Sequence, residues 1–176
     1  MLRAKLYGVA KNFTSQVEII KSIFIEGKGY EFDLSSYPAY LESIKGRLPR
    51  NALAFASAPW HYTPDDRRCP HDSWVEQLQI TAAASGQRNE VRGLEISVRL
   101  LGAYHDGHIE ILYTNVQRYT MEISRLEGSA DGHGEWLIDE IRLSQSAKVI
   151  HEVQFVRGRW TIECDDVTYH WRNFLH

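Results

Sequence analysis

The sequence predicts a β-rich α+β fold, in which an N-terminal segment with one or two short helices precedes an antiparallel up-and-down meander of about seven strands. Three observations predict it. From Trp74 almost to the end, apolar and polar residues alternate with period two, as half-buried antiparallel strands require. The turn-forming dipeptides Asp106-Gly107 and Arg157-Gly158 punctuate those runs. Before Pro70 the apolar spacing is mixed and in part helical. The sheet is expected as one curved sheet, a half-barrel or a barrel.

In chain order, Phe13, Val17, Ile20 and Phe24 repeat at helical intervals, while the β-branched cluster from Ile19 to Ile25 reads equally well as strand. A short helix is expected from Ser36 to Lys45. Pro38 is tolerated in its first turn, Tyr37, Tyr40, Leu41 and Ile44 make its apolar stripe, and Gly46 stops it. Asn51 to Ala58 is a second helical candidate, and Ala58 to His71, dense in Pro, Asp, Arg and His, reads as an extended loop. Between Leu94 and Tyr104 the even positions are apolar or glycine. A two-residue Asp106-Gly107 turn would then pair Tyr104 with Ile109, Gly102 with Ile111 and Leu100 with Tyr113. A three-residue loop at 115–117 would pair Tyr113 with Tyr119, Ile111 with Met121 and Ile109 with Ile123. Glu127 to Gly134 reads as a polar loop before strands over Trp136–Leu143 and Lys148–Val156. A turn at Arg157-Gly158 would set Phe155 against Trp160, Val153 against Ile162 and His151 against Cys164, with a break at Asp165-Asp166.

Length and composition bound the function. With 176 residues, 43% hydrophobic and 24% charged, the chain reads as a single domain, 1–176, with a mixed N-terminal segment (1–68) and the meander over 69–176. About 70% of the extended surface can be buried at this size. The net charge of −3 includes no long block of either sign, which argues against a nucleic-acid or anionic-membrane binder. No apolar run reaches the length of a spanning helix, and Arg3, Lys5 and Lys11 interrupt the start, so a cytoplasmic location is expected. Two cysteines, Cys69 and Cys164, are too few for a disulfide framework and read as free thiols.

Three clusters are candidates for chemistry. The inferred hairpin puts His105 opposite His108, with Glu110 further along the same face, a donor set suited to a divalent ion such as zinc or nickel. Exposed hairpin ends also carry histidine without any metal, and no cofactor is expected. In the later strands the expected register gathers Cys164, His151 and Asp139, the residue types of a thiol nucleophile, its base and an orienting carboxylate. A mid-strand cysteine among Trp160, Ile162 and Val153 is equally a small core hydrophobe. The third cluster is Cys69-Pro70-His71-Asp72 with His61 close by in the chain, whose spacing matches no standard metal site.

The stretch from Cys69 to Trp171 carries His71-Asp72, Gly107-His108-Ile109-Glu110, Trp136-Leu137-Ile138-Asp139-Glu140 and His151-Glu152-Val153-Gln154-Phe155, and it covers about three fifths of the chain. It resembles small bacterial domains of unknown function, some of which are immunity-type proteins that accompany polymorphic toxins. That resemblance implies no catalytic residues. Because none of the three clusters carries a complete catalytic signature and a mildly acidic β-meander presents a broad surface, the expected function is non-enzymatic protein recognition, with a homo-oligomer open through edge strands. An aromatic-lined ligand-binding half-barrel is the alternative, and a metal- or cysteine-dependent enzyme the third.

Overall fold

The alternation after Trp74 resolves into antiparallel strands in the computed structural model, which describes residues 2–3, 19–25, 29–82, 84–123 and 132–174. The elements run β1 (Leu2–Arg3), β2 (Lys21–Ile25), β3 (Gly29–Asp33), α1 (Tyr37–Ile44), α2 (Arg50–Ala56), β4 (Trp74–Ala82), β5 (Leu94–Leu101), β6 (Gly107–Thr114), β7 (Arg118–Ile123), β8 (Trp136–Leu143), β9 (Val149–Phe155), β10 (Gly158–Cys164) and β11 (Asp166–Asn173). The β-rich α+β class holds. The segment around Ile19 to Ile25 is strand, whereas Phe13, Val17 and residues 127–131 of the expected polar loop lie outside the described residues.

The strands do not form one continuous meander. A small N-terminal sheet has the order β1-β3-β2, and the other eight strands divide into two four-stranded antiparallel sheets, β7-β10-β9-β8 and β11-β6-β5-β4. Division occurs where the chain crosses between sheets twice, side by side. After β6, Asn115 adopts a left-handed φ of 47°. The Val116 N–H then bonds the Leu94 carbonyl at 2.7 Å, while the Gln117 N–H bonds the Glu163 carbonyl of the other sheet at 2.8 Å. The return crossing follows β10, where the Asp165 carboxylate collects Asn115 Nδ2 (2.7 Å), Lys148 Nζ (2.7 Å) and Gln117 Nε2 (3.2 Å). The expected pairing of Tyr113 with Tyr119 is replaced accordingly. Tyr113 lies opposite Val167, and Tyr119 opposite Ile162. A second seam joins the sheets at the bridge between Trp74 and Glu135.

Two expected registers shift, each by an even number, so the buried face survives. Leu100 pairs with Ile109 and Leu101 with His108, not Tyr104 with Ile109. The left-handed turn residue is His105 (φ 56°), and the Trp171 indole lies so close over Gly102 and Gly107 that an added Cβ would sit 2.7 Å and 2.5 Å from it. Those glycines serve the indole's approach, and Asp106-Gly107 is no two-residue turn. Likewise Phe155 pairs with Gly158, Val153 with Trp160 and His151 with Ile162. Gly158 belongs to the strand because the Glu122 carbonyl of β7 occupies the space of its missing side chain. The inner faces meet in a core where Tyr113, Trp136, Phe155 and Trp160 are fully buried.

The two helices cover strand edges. In α1, Tyr37, Leu41 and Ile44 are buried as the stripe predicts. Its tyrosines bond the free edge of β8: the Tyr37 hydroxyl donates to the Ile141 carbonyl (3.0 Å) and accepts from the Ile141 N–H (2.7 Å), and Tyr40 accepts from the Leu143 N–H (3.0 Å). Tyr62 donates to the Asp139 carbonyl at 2.9 Å. Helix α2 has no side-chain cap of its own. Instead, Asp166 at the start of β11 accepts from the Ala52 N–H at 2.9 Å and from Asn51 Nδ2 at 2.8 Å.

Tyr37→Phe removes the hydroxyl that accepts from the buried Ile141 N–H, so it is expected to destabilise the chain by about 1–3 kcal/mol in urea unfolding. A loss below about 0.5 kcal/mol would show that tyrosine capping of β8 contributes little.

Candidate functional site

A bulge builds the centre of the molecule. The β8–β9 register slips between Trp136 and Ile138, which turns both Trp136 and Asp139 toward the interior despite their odd spacing. Trp136 Nε1 consequently donates to Asp139 Oδ1 at 3.0 Å. The carboxylate, 2% exposed, also accepts from His61 Nε2 (3.0 and 2.9 Å to its two oxygens) and from His151 Nε2 (3.0 Å).

The partners engage both imidazoles. His61 Nδ1 faces the Phe55 carbonyl at 2.9 Å, so its two ring nitrogens lie against a backbone carbonyl and the Asp139 carboxylate. His151 sets Nε2 against the Asp139 carboxylate and Nδ1 against the Tyr113 hydroxyl at 2.8 Å, so both of its ring nitrogens are engaged. Burial alone would push the Asp139 carboxyl up, but the electrostatic attraction of His61 and His151 and their hydrogen bonds reverse this and hold it well below the ordinary carboxylate range. His61 itself is stacked against Phe55 and Tyr62, each with its ring centroid 4.3 Å away.

Of the expected thiol cluster, the structure brings together His151 and Asp139 but not Cys164. The two-residue register shift sets Cys164 opposite Val149, and its thiol bonds the Asp166 carbonyl at 3.4 Å. Tyr113 occupies the histidine nitrogen that a nucleophile would need. Burial pushes the Cys164 thiol up to about 12, and burial likewise pushes Cys69 up to about 12, with its thiol held by the His61 carbonyl at 3.0 Å. Both are therefore far from thiolate at neutral pH.

The histidine hairpin also separates. His105 lies edge-on to Trp74, with ring centroids 5.8 Å apart. His108 Nε2 contacts Glu76 at 2.9 Å, and Glu110 pairs with Arg172 at 3.1 Å. His71 of the third cluster bonds the Leu137 carbonyl at 2.8 Å through Nδ1. Among the described residues no group of three or more His, Cys, Asp or Glu is arranged to hold a metal ion.

Sequence reasoning paired His151 with Asp139 through the strand register but missed His61, Tyr113 and Trp136 as members of the same network. His61 comes from a loop 78 residues away, for which no periodicity exists. The Trp136 contact depends on a bulge. A lone Asp amid the apolar positions of a strand was the available signal, since such a residue demands buried donors.

Two surface features remain. One is the outer face of the sheet β11-β6-β5-β4, with Trp74 49% exposed at one corner. Across it run Arg99 Nε–Glu76 (3.2 Å), His108–Glu76 and Arg172–Glu110, with Arg99 directly opposite Glu110. The other is a groove of about 680 Å³ between the helices, lined mainly by Leu34, Tyr37, Leu41, Leu53, Ala56 and Tyr62 with Glu42 and Lys45 at hand.

A group whose folded pKa is depressed binds fewer protons folded than unfolded at low pH, so the stability contributed by Asp139 is present above the ordinary carboxylate range and is lost as pH falls through it. Chemical denaturation is expected to show stability declining below about pH 5, with part of that slope absent in Asp139→Asn. At neutral pH the same substitution weakens the acceptor shared by His61, His151 and Trp136 and leaves a buried donor unsatisfied, which is expected to cost about 1–3 kcal/mol. Native chain is expected to leave Ellman's reagent unreacted over minutes, and denatured chain to titrate both thiols.

No protein-family model matches the chain, and no curated protein and no solved structure is significantly similar to it.

Proposed function

We propose that this chain is a non-enzymatic binding domain that recognises another protein through the outer face of the β11-β6-β5-β4 sheet. The observation that carries the reading is the half-exposed Trp74 beside rows of cross-strand charge on a four-stranded face. Tryptophan is among the commonest interface anchors, and a polar rim around it supplies orientation more than energy. Strands of eight or nine residues span roughly 27 Å, a scale suited to a standard protein interface. The buried cluster supports the same reading from the other side, because each titratable group in it is already committed to an internal partner. The resemblance of residues 69–171 to immunity-type domains suggests a toxin as the partner, and the reading requires no cofactor. No helix among the described residues is long and apolar enough to cross a membrane.

The groove between the helices favours a second reading, an apolar small-molecule site. Its volume lies within the usual range for ligand pockets, although the site is displaced from the sheet interior, where the aromatic residues are packed on one another.

Affinity capture of wild-type and Trp74→Ala chains against the products of neighbouring genes tests the first reading. One protein retained by the wild type, with at least about tenfold weaker binding to the variant at unchanged thermal stability, is expected. Retention by neither chain, or equally by both, would overturn it.

A further inference from the structure

We propose that β4 is a dimerisation edge, which pairs antiparallel with β4 of a second copy about a two-fold axis at Gln79. This goes beyond the proposed recognition face, which it would duplicate side by side on one eight-stranded sheet.

The fold treats its strand edges unequally. β8 has its outward backbone groups bonded by Tyr37, Tyr40 and Tyr62, and β11 is covered by α2 through Asp166 and the stacking of Phe55 on Tyr169. β4 ends its sheet, and beyond the bridge at Trp74 no strand pairs with its outer edge among the described residues. Eight of its nine residues are exposed. Its inward side chains continue the core face past its cover: Leu78 and Ile80 lie opposite Val98 and Ile96, which are 3% and 0% exposed, yet are themselves 36% and 41% exposed.

Edge strands are ordinarily protected by charge, proline or bulges. The single bulge in β4 falls between Val75 and Gln77, and from Gln77 to Gln87 the chain has no charged residue and no proline. The exposed edge β7 differs in carrying Arg118 and Glu122. The neutral stretch from Gln77 to Ala82 raises no like-charge conflict with its own copy, and an axis at Gln79 sets Glu76, the one charge of β4, opposite Ala82.

Register selects the axis. Pairing that keeps inward residues opposite inward residues requires the axis to pass through a residue position. At Gln79, Leu78 meets Ile80 of the second copy, Gln77 meets Thr81, and Gln79 meets itself, so that apolar faces apolar and polar faces polar. An axis at Leu78 would instead set Ile80 against the bulged Glu76, and one at Ile80 would leave Leu78 opposite only Ala82. A symmetric interface of this kind is closed and self-complementary.

Sedimentation velocity of the full chain, from about 5 to about 200 µM, tests the proposal. The wild type is expected to pass from 20.3 kDa toward twice that mass over this range. Gln79 is exposed, so Gln79→Lys and Gln79→Glu should fold as the wild type does, verified by circular dichroism and melting temperature. Each alone sets like charges opposite one another and is expected to raise the dissociation constant at least tenfold, whereas an equimolar mixture of the two restores association. A wild type that stays at 20.3 kDa throughout, a dimer that Gln79→Lys leaves unchanged, or a mixture that fails to recover would each overturn it. No other protein enters the measurement, so its failure leaves the recognition reading standing, and the failure of capture leaves the dimer standing.

Discussion

The buried Asp139 carboxylate is the constraint around which the molecule is organised. A lone carboxylate in an interior of this kind is costly unless it is paired and fully hydrogen-bonded. Its donors come from separate places: Trp136 from the same strand, His151 from β9, and His61 from the loop that follows α2. Through His151 the network reaches Tyr113 on the opposite sheet, and through His61 it reaches the Phe55 carbonyl near the end of α2. Satisfying one carboxylate therefore requires that both sheets, the bulge in β8 and the helical segment all be in place. The network specifies a single arrangement, since a half-assembled version would leave charge buried without a partner.

Such a cluster has the residue types of a catalytic site and lacks its availability. A general base needs a free lone pair facing a reactant, but His151 has Tyr113 on one nitrogen and Asp139 on the other, and His61 has Asp139 and the Phe55 carbonyl on its two. The thiols follow the same logic. Cys69 and Cys164 are held as neutral thiols by burial and each donates to a backbone carbonyl.

What was legible in the sequence was whatever has a period. The strands after Trp74, their inward residues, the Tyr37–Leu41–Ile44 stripe and the diagonal placement of Asp139 next to His151 all follow from repeats of two or of three to four. The registers were read from turn dipeptides, and there the reading failed, because Gly107 and Gly158 are explained by the Trp171 indole and the Glu122 carbonyl, neighbours distant in the chain. Even so, both errors were even shifts, since only those preserve the buried face. A shift of two residues moves Cys164 off His151, and a shift of four moves His108 off His105. Site predictions thus fail before fold-class predictions do. The division into two sheets was illegible for a related reason: it is decided by Asn115 and Asp165 meeting across 50 residues, an encounter with no local signature.

Edge strands carry the last step of the argument. Three tyrosine hydroxyls and a helix satisfy one side of the molecule, at positions where the sequence places aromatic residues that are costly to expose. The same chain leaves Leu78 and Ile80 half open on the part of β4, from Gln77 on, that carries no charge. A fold with the means to cover an edge, and that uses them on β8 and β11, has two treatments of the same hazard within one chain. The difference is one of partner: the covered edges are completed by the chain itself, and β4, beyond its bridge at Trp74, offers backbone donors and acceptors to whatever strand fits its alternating face. The strand of matching length, polarity and register that is always present at equal concentration is its own copy.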